Sequence, residues 1–294
     1  MRDGESIEML QRIRNVRTVL ARPSLALPFL KYFILSNIFG LKPTRRLFGD
    51  VKIRNFINFS EYHSCSRALT SGEFNFLGKF RFEPGAIVDI GANLGVYTII
   101  LALKNPQRMI YSFEPHPAVF CALSDNMRLN DLSNVKAEKL AVGKTNGSVN
   151  FLANSHSRAT SRMADHGDAE VIAVKVVSLD SYVSIHQFEQ ISFMKVDVEG
   201  FESLVFQGAE ELLTRNKVRA IFFEVCPDAT RAAGFNPADA ATILLGYGYS
   251  LHRITHDGGL KAVDIEEAEN EVVTNWVALA PPHQPTAQFV PHAK

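Results

Sequence analysis

The sequence predicts an α/β protein built on a mostly parallel sheet with helices on both faces. Two observations predict it. Short runs rich in Val, Ile and Phe recur from residue 86 onward, and segments of helical period separate them. Strands that alternate with helices need crossover connections, and crossovers produce parallel pairing.

The elements follow in order. Met9, Leu10, Ile13, Val16 and Leu20 fall at helical spacing, interleaved with Arg12, Arg14 and Arg17, so the first helix is amphipathic. A second helical stretch covers 28–39, and 52–59 alternates loosely as a strand. The period changes after Pro84-Gly85, a turn that feeds the apolar strand Ile87-Val88-Asp89-Ile90. A small-residue loop and an amphipathic helix follow. The second strand is 108–114, with a helix over 117–130, and the third is 135–142. Two short strands, 148–152 and 171–177, flank a polar loop holding His156, Arg158, Arg162 and His166. The fourth strand is 191–197, followed by a helix over 202–215, and the fifth is 218–225. A helix over 237–245 and strands 247–254 and 272–280 close the fold. Residues 1–80 read as a helical appendage that caps the site or forms a homodimer contact. The main domain is 81–281, and the Pro-rich 282–294 reads as a disordered tail.

Composition bounds the function classes. At 294 residues, 46% hydrophobic and 21% charged, the chain has ordinary soluble composition and material for a sizeable core. Formal net charge is zero, so no global field points to nucleic acid. Charge is uneven, however: residues 1–54 carry +7 and the remainder −7. That basic segment suits an anionic membrane surface, an acidic or phosphorylated acceptor, or the protein's own acidic body. No secretory signal is read at the start. The apolar stretch 25–41 is interrupted by Pro28, Lys31, Ser36 and Asn37 and falls short of the ~20 residues that span a bilayer. Cys65, Cys121 and Cys226 show neither disulfide nor metal spacing, which suits a reducing cytoplasm.

The loop after the first main strand is Gly91-Ala92-Asn93-Leu94-Gly95. A nicotinamide dinucleotide fingerprint requires G-x-G-x-x-G, and here Asn93 stands where the second glycine admits a pyrophosphate. S-adenosylmethionine has no phosphate, so that approach is not needed. Its amino-acid end and sulfonium favour acidic groups and backbone carbonyls, and Asp89 at the strand end meets that need. Glu114, at the end of the next strand, is placed to take both ribose hydroxyls. His116 and Pro117 are placed to pack against the adenine.

With these motifs in hand, the chain resembles the FkbM-type S-adenosylmethionine-dependent O-methyltransferases. The matching pieces are Asp89–Gly95, Phe113-Glu114-Pro115, Ser178-Leu179-Asp180 and Met194–Gly200, with Gln207-Gly208-Ala209 and Phe223-Glu224-Val225 behind them. They cover roughly 70–280. The resemblance implies a class I methyltransferase fold, Rossmann-like with seven strands, and methyl transfer to a hydroxyl of a sugar, glycan, glycolipid or secondary metabolite. Nothing carries over to residues 1–70. The expected cofactor contacts are Asp89, Gly91, Ala92, Asn93 and Gly95 in the first motif, with Tyr97 and Thr98 in the following helix. Glu114, Pro115 and His116 form a second group, and Ala141, Val142 and Asp197 complete the set.

Ligands of open α/β sheets bind beyond the carboxyl ends of the strands. The fourth strand ends Lys195-Val196-Asp197-Val198-Glu199, and alternate residues of a strand share a face. Asp197 is the expected general base or hydroxyl-orienting group, with Glu199 and Glu224 in reserve. The competing reading is a Lys195–Asp197 or Lys195–Glu224 ion pair that fixes the sheet edge. Asp197, Glu199 and Glu224 are also candidate oxygen ligands for a divalent cation. A nucleotide-binding oxidoreductase and a non-catalytic, membrane-associated cofactor binder are the alternatives. The basic residues of 1–54 and of the 155–166 loop favour an acidic or phosphorylated acceptor.

Overall fold

The computed structural model describes residues 26–47, 50–56, 59–65, 69–153 and 170–282. The expected helix over 9–20, the histidines and arginines of the polar loop, and the expected tail beyond Pro282 lie outside the described residues. Among the described residues no helix is long and apolar enough to cross a membrane.

The first described element is α1 (Ala26–Phe33), continued by a π-turn over Ile34–Ile38. A two-stranded ribbon follows, β1 (Arg45–Arg46) against β2 (Lys52–Ile53), so the strand expected over 52–59 is much shorter. Next come α2 (Phe59–Ser64) and α3 (Ser71–Lys79). A capping box starts α3: the Thr70 side chain accepts from the Glu73 N–H, and Glu73 accepts from the Thr70 N–H.

The main sheet has eight strands. Its chain-order members are β3 (Ala86–Ile90), β4 (Ile110–Phe113), β5 (Val135–Glu138), β9 (Ile191–Val196), β10 (Ala220–Val225), β11 (Ser250–Ile254), β12 (Leu260–Ala262) and β13 (Thr274–Leu279). Their spatial order is β12-β11-β13-β10-β9-β3-β4-β5. The five strands from β10 to β5 are parallel, and β13 inserts antiparallel between β10 and β11. The eighth strand, β12, is an antiparallel edge of three exposed residues and carries no apolar alternation that a sequence reading detects.

The remaining strands form a separate three-stranded sheet: β6 (Ala141–Val142), β7 (Gly147–Ala153) and β8 (Glu170–Val177), in the order β6-β8-β7. The single strand expected over 135–142 is therefore two, because Ala141 and Val142 leave β4 to pair with β8.

Helices α4 (Val96–Lys104), α5 (Pro117–Leu129) and α6 (Leu179–His186) cross between strands. The helix expected over 202–215 is likewise two, α7 (Glu202–Gln207) and α8 (Glu210–Thr214). Gly208 separates them: a Cβ there would sit 2.0 Å from the Gly143 carbonyl oxygen, so the chain turns where that approach is needed. Two short helices, α9 (Pro227–Ala232) and α10 (Asp239–Gly246), precede β11.

The sheet divides the core in two. On one face Val88, Ile90, Met194, Val196, Ile221 and Phe223 pack with Leu179, Phe206 and Leu213. On the other, Ile87, Phe193 and Phe222 pack with Ile99 and Ile100 of α4 and with Phe76 and Leu77 of α3. Phe76 lies 6.4 Å from Phe222, and Val51, Ile53 and Leu69 join the same cluster. Val51, Ile53, Leu69, Phe76 and Leu77 thus share the second core, on the N-terminal side of the boundary drawn at residue 80.

Candidate functional site

The strand alternation that sorts the core also places the polar groups. Asp89, Lys195 and Glu224 share the face of Ile87, Phe193 and Phe222, at the carboxyl ends of β3, β9 and β10. There the sheet, α3 and the start of α4 enclose a cavity of about 900 Å³.

The loop from Gly91 to Gly95 is held by its own backbone. Gly91 and Ala92 N–H groups donate to the Phe113 carbonyl at 3.0 Å each, and Gly95 N–H donates to Ala92 at 2.8 Å. Gly91 has φ +77°, and a Cβ there would sit 1.8 Å from the Asp197 carbonyl oxygen. The neighbouring strand's backbone thus requires this glycine, independently of any ligand. Asn93, at φ 50°, donates its N–H to Glu114 Oε2 at 3.0 Å, and His116 N–H donates to Oε1 at 2.9 Å. Glu114 is 7% exposed and lines the cavity. Burial pushes its carboxyl up to about 7, against the pull of those two N–H donors. His116 caps α5, its Nδ1 accepting from Ala118 N–H at 3.1 Å, while its ring lines the cavity 6.4 Å from Phe151.

Lys195 is 2% exposed. Its Nζ donates to Asp197 Oδ2 at 3.0 Å and to the Gly91 carbonyl at 3.2 Å, and lies 3.7 Å from Asp89 Oδ1. It also sits 5.1 Å from the Tyr97 ring centroid. Burial alone would lower its pKa; Asp197 and Asp89 outweigh this and raise it, so the ammonium stays charged. Asp89 is fully buried and accepts from Thr98 Oγ1 at 2.5 Å. Thr98 Oγ1 is in turn 2.9 Å from Ser112 Oγ. Burial raises the Asp89 pKa, with Lys195 and Thr98 pulling the other way.

Register sets Glu224 beside Asp197, and Asn275 of β13 directly opposite Glu224. Glu224 is pushed up to about 9, first by burial and then by the charges of Asp197, Glu199 and Glu202. Glu199 occupies a left-handed turn at φ 56°, followed by Gly200 at φ 97°. Glu202 fixes that turn by accepting the Val198 N–H at 2.9 Å and the Gly200 N–H at 3.3 Å. Burial pushes Glu202 itself up to about 7.

The structure brings Gly91, Ala92, Asn93, Tyr97, Glu114, Pro115, His116, Ala141 and Val142 onto one cavity wall with Lys195, Asp197, Glu199 and Glu224. Asp89, Gly95 and Thr98 are not on that wall. The Asp89 carboxylate lies 3.7 Å from the Lys195 ammonium, which itself lines the cavity. Gly95 starts α4 at φ 88°, where a Cβ would meet Leu123 at 2.6 Å. His63 lies off the wall, its ring 6.0 Å from Phe59. Among the described residues no group of three or more His, Cys, Asp or Glu side chains is arranged to hold a metal.

Sequence reasoning missed the wall made by Glu61, Cys65, Thr70 and Glu73, and by Thr274 and Asn275. The Thr70-x-x-Glu73 capping box was legible as a helix start, not as a cavity wall. Nothing local in Thr274-Asn275 marks a site; pairing with Glu224 puts it there.

Residues 89–251 match the family described as the methyltransferase FkbM domain. The chain belongs to this FkbM methyltransferase family. Among curated relatives, Methyltransferase 1 of Beauveria bassiana is 29% identical over 149 residues, 44% of this chain and 60% of that protein. The 31-O-demethyl-FK506 methyltransferase FkbM of Streptomyces tacrolimicus is 24% identical over 202 residues, 58% of this chain and 74% of that protein. The 2-O-methyltransferase NoeI of Sinorhizobium fredii is 27% identical over 154 residues, 47% of this chain and 62% of that protein. The match thus spans about 60% of the length of the first of these relatives.

Proposed function

We propose that this protein transfers the methyl group of S-adenosylmethionine to a hydroxyl oxygen of a small-molecule or glycan acceptor. One observation carries the reading: a single cavity joins the Gly91–Asn93 loop and buried Glu114 to the Lys195–Asp197 pair. The residues fit the cofactor. Glu114 is buried on the wall and accepts the backbone N–H groups of Asn93 and His116, and an ionised carboxylate has further lone pairs for a ribose diol. The loop carries Asn93 where the fingerprint places its second glycine beside a pyrophosphate, which disfavours a nicotinamide dinucleotide. The O-methyltransferase names of relatives support oxygen as the acceptor atom.

S-adenosylmethionine, when bound, supplies a methyl group on a sulfonium, a good leaving group. Little covalent help is then needed, and alignment with water exclusion provides ~7–11 kcal/mol in favourable cases. Glu114 would hold the ribose hydroxyls, and His116 and Phe151, on the same cavity wall, would flank the adenine. Asp197 would orient the acceptor hydroxyl and take its proton, while the bound cofactor would supply the methyl group and leave as the neutral thioether. General-base help of this kind is worth ~10²–10⁴-fold. Lys195 fixes Asp197, and Asp89 with Thr98 fixes Lys195, so Asp89 is a positioning residue.

The test is transfer of radiolabel from methyl-labelled S-adenosylmethionine to acceptors in a broad panel of glycans, amino sugars and polyketides. The proposal expects labelled product and S-adenosylhomocysteine in equal amounts, and a ~10²–10⁴-fold lower turnover for Asp197→Asn. Cofactor binding with no transfer to any acceptor would move the protein to the non-catalytic reading.

A further inference from the structure

One fully buried polar side chain has no part in the chemistry above: Asn126, on α5. Its amide reaches two separate segments of the chain. Oδ1 accepts the Arg54 N–H at 2.9 Å, and Nδ2 donates to the Arg54 carbonyl at 3.3 Å. Nδ2 also donates to the Leu94 carbonyl at 2.9 Å. A single amide thus joins the residue after β2 to the loop on the donor side of the cavity.

The strand end of this bridge is a matched pair of contacts. Asn130, at the end of α5, treats Lys52 as Asn126 treats Arg54: the Lys52 N–H donates to Oδ1 at 2.8 Å, and Nδ2 donates to the Lys52 carbonyl at 2.7 Å. Four residues of helix rise about 6.0 Å and two residues of strand about 6.6 Å, so the two amides meet alternate strand residues. Each amide exchanges a donor and an acceptor with one residue, as a neighbouring strand does. Ile53, between them, is paired with Arg45 of β1 and buries its side chain in the second core. Asn55 Nδ2 adds a bond to Asp125 Oδ2 at 3.0 Å. The chain beyond supplies Glu61, Cys65, Thr70 and Glu73 to the cavity wall.

The loop end is equally close. Leu94 lies between Asn93, whose N–H goes to Glu114, and Gly95, where a Cβ would meet Leu123 at 2.6 Å. Leu123 and Asn126 are three residues apart and share a face of α5. The helix therefore holds the loop by an apolar contact and by the Asn126 bond. The Asn130 amide bonds instead to the strand and to the Asn126 carbonyl, the latter at 2.7 Å.

Resting on the methyltransferase reading, we propose that Asn126 is a positioning residue that couples the two sides of the cavity. The loop geometry that receives the cofactor is the one that directs the Leu94 carbonyl at Asn126, and Asn126 so fixed holds the strand that carries the N-terminal wall. Cofactor binding tightens the docking of residues 52–54, and by reciprocity the docked strand tightens cofactor binding.

The test is hydrogen–deuterium exchange of the full chain, without and with saturating S-adenosylhomocysteine, read over peptides spanning 50–56 and over α10 as a reference away from the cavity. In the wild type the ligand is expected to slow exchange over 50–56 by at least about fivefold relative to α10. Asn130→Ala weakens docking without touching the loop bond; it is expected to speed exchange in both states and to keep at least a threefold ratio between them. Asn126→Ala, resaturated with ligand, is expected to bring that ratio below twofold, an outcome that loss of stability alone would not confine to 50–56. An undiminished ratio in folded Asn126→Ala, or an equal loss in Asn130→Ala, overturns the proposal. The wild-type arm decides even if Asn126→Ala does not fold, because bound ligand with no slowing over 50–56 overturns the coupling while the donor side stands. Calorimetry of the same samples separates the two claims: no S-adenosylhomocysteine binding by the wild type overturns the donor reading and the coupling together.

Discussion

Glu114→Gln is the perturbation that most directly separates a cofactor-binding carboxylate from a structural one. The carboxylate accepts one backbone N–H on each oxygen, from Asn93 and His116. An amide keeps only one of these acceptors. Hydrogen bonds to a charged group are worth about 1.5–3 kcal/mol and neutral ones about 0.5–1.5 kcal/mol. With a ribose diol as partner, the exchange weakens one bond and removes another, a loss of about 2–4 kcal/mol. That converts to roughly 30- to 1000-fold weaker binding. The charge state adds a pH signature. Glu114 titrates at about 7 in the ligand-free protein, so the accepting form is depleted below that value. Wild-type affinity for S-adenosylhomocysteine is expected to be flat above pH 8 and to fall up to tenfold per unit below pH 7, while the variant's affinity stays level relative to it. Isothermal titration calorimetry from pH 5.5 to 8.5, with a thermal melt of each protein as a folding control, measures both. A folded variant within threefold of wild type at pH 8 refutes the ribose assignment.

Three further predictions follow from the same geometry. Lys195→Met leaves Asp89 buried without its cation and is expected to cost about 3–5 kcal/mol in urea unfolding, whereas a loss below ~1 kcal/mol would show that Asp89 does not depend on it. Gly208→Ala forces a Cβ to within 2.0 Å of the Gly143 carbonyl oxygen and is expected to cost at least ~1–3 kcal/mol; an unchanged melting temperature contradicts the close approach. Glu114 and Glu202 are raised to about 7 and Glu224 to about 9, so the folded state holds these protons more tightly than the unfolded chain. Their stabilising contribution is complete below the ordinary glutamate range and is lost as pH rises through 7 and then 9. The ligand-free protein is expected to melt lower at pH 9 than at pH 5.5, with Glu224→Gln reducing the difference; a higher melting temperature at pH 9 refutes the burial account.

Legibility in the sequence followed the range of the forces involved. Strands β3, β4, β9 and β10 announce themselves because both faces are buried and the apolar runs are continuous. The split of 202–215 at Gly208 was hidden, since it depends on Gly143, far away in sequence. Glu114 and the Gly91–Asn93 loop were readable as neighbours because each ends one of two adjacent parallel strands, and the structure puts both on one cavity wall. Asp89 was readable as important but not in its position: only the register with β9 sets it beside Lys195. The acceptor wall was not readable. Glu73, Thr274 and Asn275 carry no local signal, and the antiparallel insertion of β13 brings the last two beside Glu224. The charge of the first 54 residues pointed toward an anionic acceptor, and among the described residues none of 26–54 lines the cavity.

The central claim is that one S-adenosylmethionine occupies the cavity between Glu114 and Asp197. Calorimetric titration of the purified full chain with S-adenosylhomocysteine and, in parallel, with NADH tests it most directly. The account predicts one S-adenosylhomocysteine per chain and no measurable NADH binding. Saturable NADH binding without S-adenosylhomocysteine binding would contradict it.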